Sequence, residues 1–142
     1  MGTRRKAREC ALQLLFQWEG ERGAPADTQA RFWRQRPPPN ESTRAFADRL
    51  FTATVAGLEE IDSRLAAHSQ HWRLERMTAV DRNILRLAVC ELEAEPATPP
   101  AVVINEALEI ARRFSTPESV EFINGILDAI RKTLEAGAEA KP

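Results

Sequence analysis

The sequence predicts an all-α protein of about six or seven helices in two packed lobes. Apolar residues recur at the three- and four-residue spacing of amphipathic helices, and runs that alternate in the manner of strands are missing. Glycine is scarce, at six residues in 142. A hydrophobic share of 43% against a charged share of 29% gives a chain of this length enough apolar surface for a buried core.

The first helix is predicted to run from Thr3, which can cap it, to about Glu19. A short second helix follows Asp27 and carries Phe32 and Trp33. The core face of the first helix is a single apolar stripe: Ala7, Cys10, Ala11, Leu14, Leu15 and Trp18.

A third helix is predicted over residues 43–69, with a bend near Gly57. The stiff segment 37–40, three prolines and an asparagine, separates it from the second helix. Its buried side is expected to contain Phe46, Leu50, Ala53 and Ile61.

The fourth helix begins at Thr78 and is apolar almost all round over residues 84–90, which predicts a central, buried position. Prolines at 99 and 100 open the fifth helix, since proline fits the first helical turn. Its predicted core face is Val103, Ala107, Ile110, Ala111 and Phe114. Thr116 caps the last helix, whose predicted core face is Val120, Ile123, Leu127, Ile130 and Leu134.

These elements are expected to form one helical domain over residues 1–135. The connector from His71 to Met77 is the predicted seam between an N-terminal lobe of about 1–70 and a C-terminal lobe of about 71–135. Residues 136–142 are expected to be a flexible tail.

An enzyme is not expected. The chain has two histidines, His68 and His71, no serine or cysteine in a nucleophile-elbow context, and no glycine-rich phosphate loop. Its acidic residues lie beside basic ones on polar helix faces, which is typical of a solvated surface. No catalytic residue and no cofactor are therefore predicted.

A zinc site built from Cys10, Cys90, His68 and His71 has the right ligand types. However, both cysteines lie in apolar helical patterns, where free cysteine behaves as a small buried hydrophobe, so no metal is predicted. Glu91 lies on an apolar face and needs partners there. It either accepts hydrogen bonds from the start of a neighbouring helix or acts as an acid of raised pKa, for which no partner group is visible.

Four basic residues, Arg4, Arg5, Lys6 and Arg8, precede any acidic residue in the chain. The formal net charge of −1 excludes a uniformly basic coat but not such a local patch. Cations at a helix N-terminus oppose the helix dipole, which favours a reason outside folding. The cluster is either a solubilising terminus or an arm that binds nucleic-acid phosphates.

Three apolar side chains lie outside the predicted core faces. Leu12 and Phe16 lie opposite the stripe of the first helix, on the side of Arg5, Arg8 and Glu19. Phe122 lies off the core face of the last helix. Each either packs under another helix or forms a contact surface, for a protein at Leu12 and Phe16 and for a stacked base at Phe122.

Four segments together resemble the NusB transcription antitermination family. They are RRKARECALQ at residues 4–13 with FQW at 16–18, VDRNILRLA at 80–88 with EL at 91–92, VINEA at 103–107 with EIA at 109–111, and FINGILD at 122–128. The segments occur in the family's order and cover roughly residues 4–134.

The resemblance implies two three-helix subdomains and binding to the boxA element of ribosomal RNA leader transcripts. It also implies two partners, the ribosomal protein NusE and the RNA polymerase antitermination complex. The RNA-binding residues it implies are Arg4, Arg5, Lys6, Arg8, Ser115, Thr116, Glu118 and Phe122. The partner-binding residues it implies are Leu12, Phe16, Glu19 and Asp81.

Two other classes remain open at this stage: an RNA-guiding module of a ribosomal RNA methyltransferase system, and a DNA-binding helical protein. A homodimer is also possible. No apolar run approaches the roughly 20 residues of a membrane span, and cysteine usage favours a reducing compartment, so a cytoplasmic protein without a membrane partner is expected.

Overall fold

A computed structural model describes residues 2–37, 39–69 and 76–140, and these form seven α-helices with no strand. The helices are α1 (Gly2–Glu21), α2 (Pro25–Arg34), α3 (Glu41–Ala56), α4 (Leu58–His68), α5 (Ala79–Ala94), α6 (Pro100–Phe114) and α7 (Pro117–Ala140). The all-α prediction is confirmed, and the helix number lies within the predicted range.

Helix α5 is the centre of the fold, as predicted, because it packs on five others: α1, α3, α4, α6 and α7. Helix α1 packs on α2, α3 and α5. The predicted stripe of α1, from Ala7 to Trp18, is buried as expected. α5, α6 and α7 pack on one another, and one continuous core joins this group to α1–α3.

The predicted third helix is two helices. Gly57 alone separates α3 from α4, and its N–H donates to the carbonyl of Ala53 while its own carbonyl accepts from Ile61. Glycine is a poor helix residue, which explains the break at this position. α4 packs on α5 and α7 as well as on α3, so it contacts both halves of the molecule. Residues 70–75, which hold most of the predicted seam, lie outside the described residues.

The predicted caps are confirmed at α5 and α7. The hydroxyl oxygen of Thr78 accepts from the N–H of Asp81 at 3.1 Å, and that of Thr116 accepts from the N–H of Ser119 at 3.1 Å. α7 continues to Ala140, through five of the residues that were expected to form a tail. The alanine-rich end of this segment favours the helix.

No helix in the described part of the chain is long and apolar enough to span a bilayer.

Candidate functional site

The basic arm (Arg4, Arg5 and Lys6) lies on the first turns of α1. Arg4 and Lys6 are exposed, while Arg5 is 37% exposed. Nε and Nη2 of Arg5 donate to the two carboxylate oxygens of Glu106, on α6, at 3.0 and 2.7 Å. These hydrogen bonds lower the pKa of the Glu106 carboxyl. The arm therefore offers two unburied cations and one that is already held by a carboxylate.

The structure places Arg8 inside the protein, apart from the rest of the cluster. Its side chain is 9% exposed and makes a bidentate pair with Glu91, which is 2% exposed, at 2.8 and 2.5 Å. Because this pair is buried in the α1–α5 interface, the Arg8 guanidinium is not presented to solvent. This contradicts the prediction that Arg8 lies on an RNA-binding surface. Of the two interpretations of Glu91, the one with hydrogen bonds from the start of a neighbouring helix is confirmed.

An apolar groove of about 560 Å³ runs beside Phe16. Phe16 and Phe114 are 56% and 47% exposed and are two of the three large apolar side chains that the described residues expose. Other lining residues include Leu12, Val80, Glu9 and Arg36. Exposed aromatic residues gathered in one groove are typical of a protein contact site.

Two predictions around this groove are wrong in detail. Leu12 is only 8% exposed, because α5 and α6 cover the side of α1 that the helix pattern left open. It forms the floor of the groove and not an exposed contact. Phe114 was assigned to the core, but it lies at the last residue of α6, where the helix leaves the core.

Glu19 binds within the chain. Its carboxylate accepts hydrogen bonds from Arg82 at 3.1 Å and from Arg86 at 2.8 Å. Burial alone would raise the pKa of Glu19, but the hydrogen bonds from Arg86 and Arg82 lower it below its usual range. Arg86 is buried and also holds Asp62 of α4 through two hydrogen bonds of 2.8 Å. The predicted partner contact at Glu19 is thus occupied by a network that joins α1, α4 and α5.

Asp81 is buried as well, which contradicts its predicted exposure to a partner protein. The hydroxyls of Ser115 and Ser119 donate to its two carboxylate oxygens at 2.5 and 2.7 Å. Asp81 therefore fastens the α6–α7 turn to the first turn of α5. Sequence patterns could not reveal this contact, because 34 and 38 residues separate the partners.

The α6–α7 turn presents Thr116 and Glu118 to solvent, while Phe122 is partly buried against the core. The turn does not adjoin the basic arm. It lies beside Asp81, and the next residue of α5, Arg82, contacts the far end of α1 through Glu19. Along α6, the nine residues from Glu106, which pairs with Arg5, to Ser115 correspond to about 14 Å.

Arg113 lies between the arm and the turn and was not predicted. It is exposed, pairs with Glu9 one helical turn beyond Arg5, and stands two residues before Ser115. The Arg112-Arg113 pair, a basic doublet at the end of a helix and directly before a predicted binding turn, is the sequence signal that could have identified it.

The cysteines show the environment of core residues. Burial raises the pKa of both the Cys10 and the Cys90 thiol, which keeps them protonated. No group of three or more potential metal ligands occurs within residues 2–37, 39–69 and 76–140. His71, one member of the zinc set considered above, lies outside those ranges.

Comparisons with known proteins match nearly the whole chain to a single family. The NusB family profile matches residues 5–132. A transcription antitermination protein NusB from Koribacter versatilis is 51% identical over 140 residues, which cover 99% of this chain and 96% of that protein.

Two solved structures share the fold. NusB of T. maritima superposes with a TM-score of 0.81 at 36% identity, over 91% of this chain and 90% of that one. A chain from the crystal structure of the antitermination factors NusB and NusE in complex with dsRNA superposes with a TM-score of 0.84 at 28% identity, over 94% and 98%.

Proposed function

The chain belongs to the NusB family, and from this membership we propose that it acts in the cytoplasm as a transcription antitermination factor. It binds boxA-like RNA of ribosomal RNA leader transcripts together with NusE and joins the RNA polymerase antitermination complex. Relatives matched over nearly the whole chain are named transcription antitermination proteins, and no enzymatic activity is proposed. The relatives from Koribacter versatilis and Solibacter usitatus are antitermination proteins matched over nearly their full length, which favours this function over the methyltransferase alternative.

The RNA surface runs from the basic arm, past Arg113, to the α6–α7 turn. Arg4 and Lys6 supply exposed cations at one end, and Arg5 joins them when a phosphate displaces or shares Glu106. At the other end Thr116 is exposed, with a hydroxyl oxygen that can accept one further hydrogen bond beside its contacts with Ser119, and the half-buried Phe122 is assigned to pack on a base. Arg8 supports this surface from inside, since its pair with Glu91 fixes α1 on α5.

The partner surface is the groove around Phe16. Its two exposed aromatic rings, Phe16 and Phe114, carry this assignment, because aromatic side chains in a concave apolar site dominate the energetics of protein interfaces. The crystal structure in which a related NusB is in complex with NusE and dsRNA supports a ternary arrangement of this kind. Glu19 and Asp81 do not line this groove and are bound within the chain, so we assign them a supporting role behind it.

Binding of fluorescent single-stranded boxA-like RNA, with and without NusE and over a series of salt concentrations, tests this function. Affinity should fall by about 0.7 log units per log unit of salt for each phosphate contact. Duplex RNA serves as a second probe, and duplex DNA serves as competitor. Equal competition by duplex DNA, or binding that does not respond to salt and NusE, would contradict the proposal.

A further inference from the structure

Asp81 holds both sides of the α6–α7 turn at once. Ser115, the residue after α6, donates to one carboxylate oxygen, and Ser119, in the first turn of α7, donates to the other. Hydroxyl bonds of 2.5 and 2.7 Å to a carboxylate are of the strong, charge-assisted kind. Ser119 is also fixed to Thr116 through the helix cap, so one carboxylate orders the whole turn.

The hydrogen-bonded cluster of Asp81, Ser115 and Ser119 is called the joint here. Residues adjacent in sequence to Asp81 and to Ser115 line the apolar groove. Val80 precedes Asp81 and lines the groove, and Phe114 precedes Ser115 and lines the same groove. Each of these adjacent pairs thus has one member in the groove wall and one in the joint. A protein seated against Val80 and Phe114 restrains the backbone that carries Asp81 and Ser115.

We propose that Asp81 is a positioning residue that couples the partner groove to the RNA-binding turn. This inference rests on the function proposed above. NusE in the groove restrains Val80 and Phe114 and so reduces the remaining motion of the turn that Asp81 holds. RNA binding then costs less conformational entropy at Thr116 and Phe122. Because coupling between two binding sites is reciprocal, RNA strengthens NusE binding by the same factor.

The test measures the factor by which saturating NusE tightens binding of boxA-like RNA, in the wild type and in two variants of one position. Asp81→Ala removes both acceptors and should bring this factor close to one, which for coupling of typical size is a loss of about fivefold or more. Asp81→Asn keeps an oxygen for Ser115 and offers an N–H to Ser119, and it should restore most of the factor. NusE affinity without RNA should change little in either variant.

Amide hydrogen exchange over residues 115–119 gives a second readout. NusE should slow exchange there in the wild type and in Asp81→Asn, but not in Asp81→Ala. If Asp81→Ala does not fold, the Ser115→Ala/Ser119→Ala variant, which leaves Asp81 in place, must show the same loss of coupling.

Three outcomes separate the possibilities. An unchanged coupling factor in the alanine variants overturns the inference. Loss of NusE affinity without RNA, at an unchanged coupling factor, shows Asp81 to be a partner contact and overturns it too. Failure of the wild type to bind RNA with NusE present contradicts the proposed function itself.

Discussion

The guanidinium of Arg8 and the carboxylate of Glu91 form a bidentate ion pair inside the protein, at 2.8 and 2.5 Å. The pair joins the first half of α1 to the last turns of α5. The Arg8 side chain has 9% of its surface exposed, and that of Glu91 has 2%. A charge in such a place is tolerated only while its partner remains, because an isolated buried charge is strongly destabilising.

Arg8→Met should therefore lower the free energy of unfolding by about 3–5 kcal/mol, because it leaves Glu91 buried without a counter-charge. The double variant Arg8→Met/Glu91→Leu should recover most of the loss, since it removes both charges and keeps apolar volume. Urea denaturation followed by circular dichroism measures both effects.

Arg4→Met is the matched control for that experiment, because Arg4 lies one turn earlier on α1 and is exposed. Its guanidinium stacks on Phe46 at 4.0 Å, a contact worth about 1 kcal/mol or less at the surface. A stability loss at Arg8 no larger than the loss at Arg4 would show that the buried pair does not hold α1 to α5.

Phe16 and Leu12 lie one turn apart on α1 and should respond in opposite ways. Phe16→Ala should reduce stability by well under the about 3–5 kcal/mol of a buried phenylalanine and should weaken NusE binding by about 2 kcal/mol or more, as for a central interface residue. Leu12→Ala should cost about 2–5 kcal/mol of stability, because Leu12 is 8% exposed. Denaturation midpoints and calorimetric titration with NusE separate the two. A core-sized loss at Phe16 would place the partner surface elsewhere.

The stripe of α1 and the caps at Thr78 and Thr116 could be predicted because they depend on local spacing and local hydrogen bonds. The burial of Leu12 and Arg8 could not be predicted in this way. A helix pattern identifies only the broadest apolar face, whereas α1 is covered on more than one side. The off-core placement of Phe16 was predicted correctly, because an exposed aromatic residue interrupts the polar face in a way that the sequence itself displays.

The charged contacts of the candidate site were beyond the reach of sequence patterns. Arg5 and Glu106 are 101 residues apart, and Arg8 and Glu91 are 83 apart. Their pairing depends on how α1 lies across α5 and α6. The resemblance assigned Asp81 and Glu19 to the partner surface, and only the fold shows the hydroxyls and guanidinium groups that hold them within the chain.

Acid should weaken the fold through Glu19. Arg86 and Arg82 lower the pKa of this carboxyl in the folded state, so its contribution is complete above about pH 4.3, the usual glutamate pKa, and is lost as the pH falls through the lower folded value. Glu19→Gln should cost about 1–3 kcal/mol at pH 7 and should flatten the fall in stability below about pH 4.3.

Urea denaturation at a series of pH values measures this dependence, with Glu121→Gln, an exposed position on α7, as the control. The control should follow the wild-type profile. If Glu19→Gln does so as well, the network around Arg86 carries no acid-sensitive stability.

The last prediction concerns the competition between Glu106 and RNA for Arg5. Nε and Nη2 of Arg5 both donate to the Glu106 carboxylate, so a phosphate that binds this edge of the guanidinium must displace or share that carboxylate. Glu106→Gln removes the competing charge and should tighten binding of boxA-like RNA in the presence of NusE. If Arg5 then makes one more full phosphate contact, the slope of log affinity against log salt should steepen by about 0.7.

Glu109→Gln is the matched control, because it makes the same change in net charge one turn along α6, where Glu109 pairs with Arg112. A general gain from the lost negative charge would appear equally in both variants, whereas release of Arg5 appears only in Glu106→Gln. The gain should also vanish in Arg5→Ala/Glu106→Gln, which has no guanidinium to release. Weaker RNA binding by a folded Glu106→Gln would contradict this competition. It would mean that Glu106 orients Arg5 for the phosphate, because the guanidinium is held at 2.7 Å by the carboxylate and loses that orientation when the pair is broken.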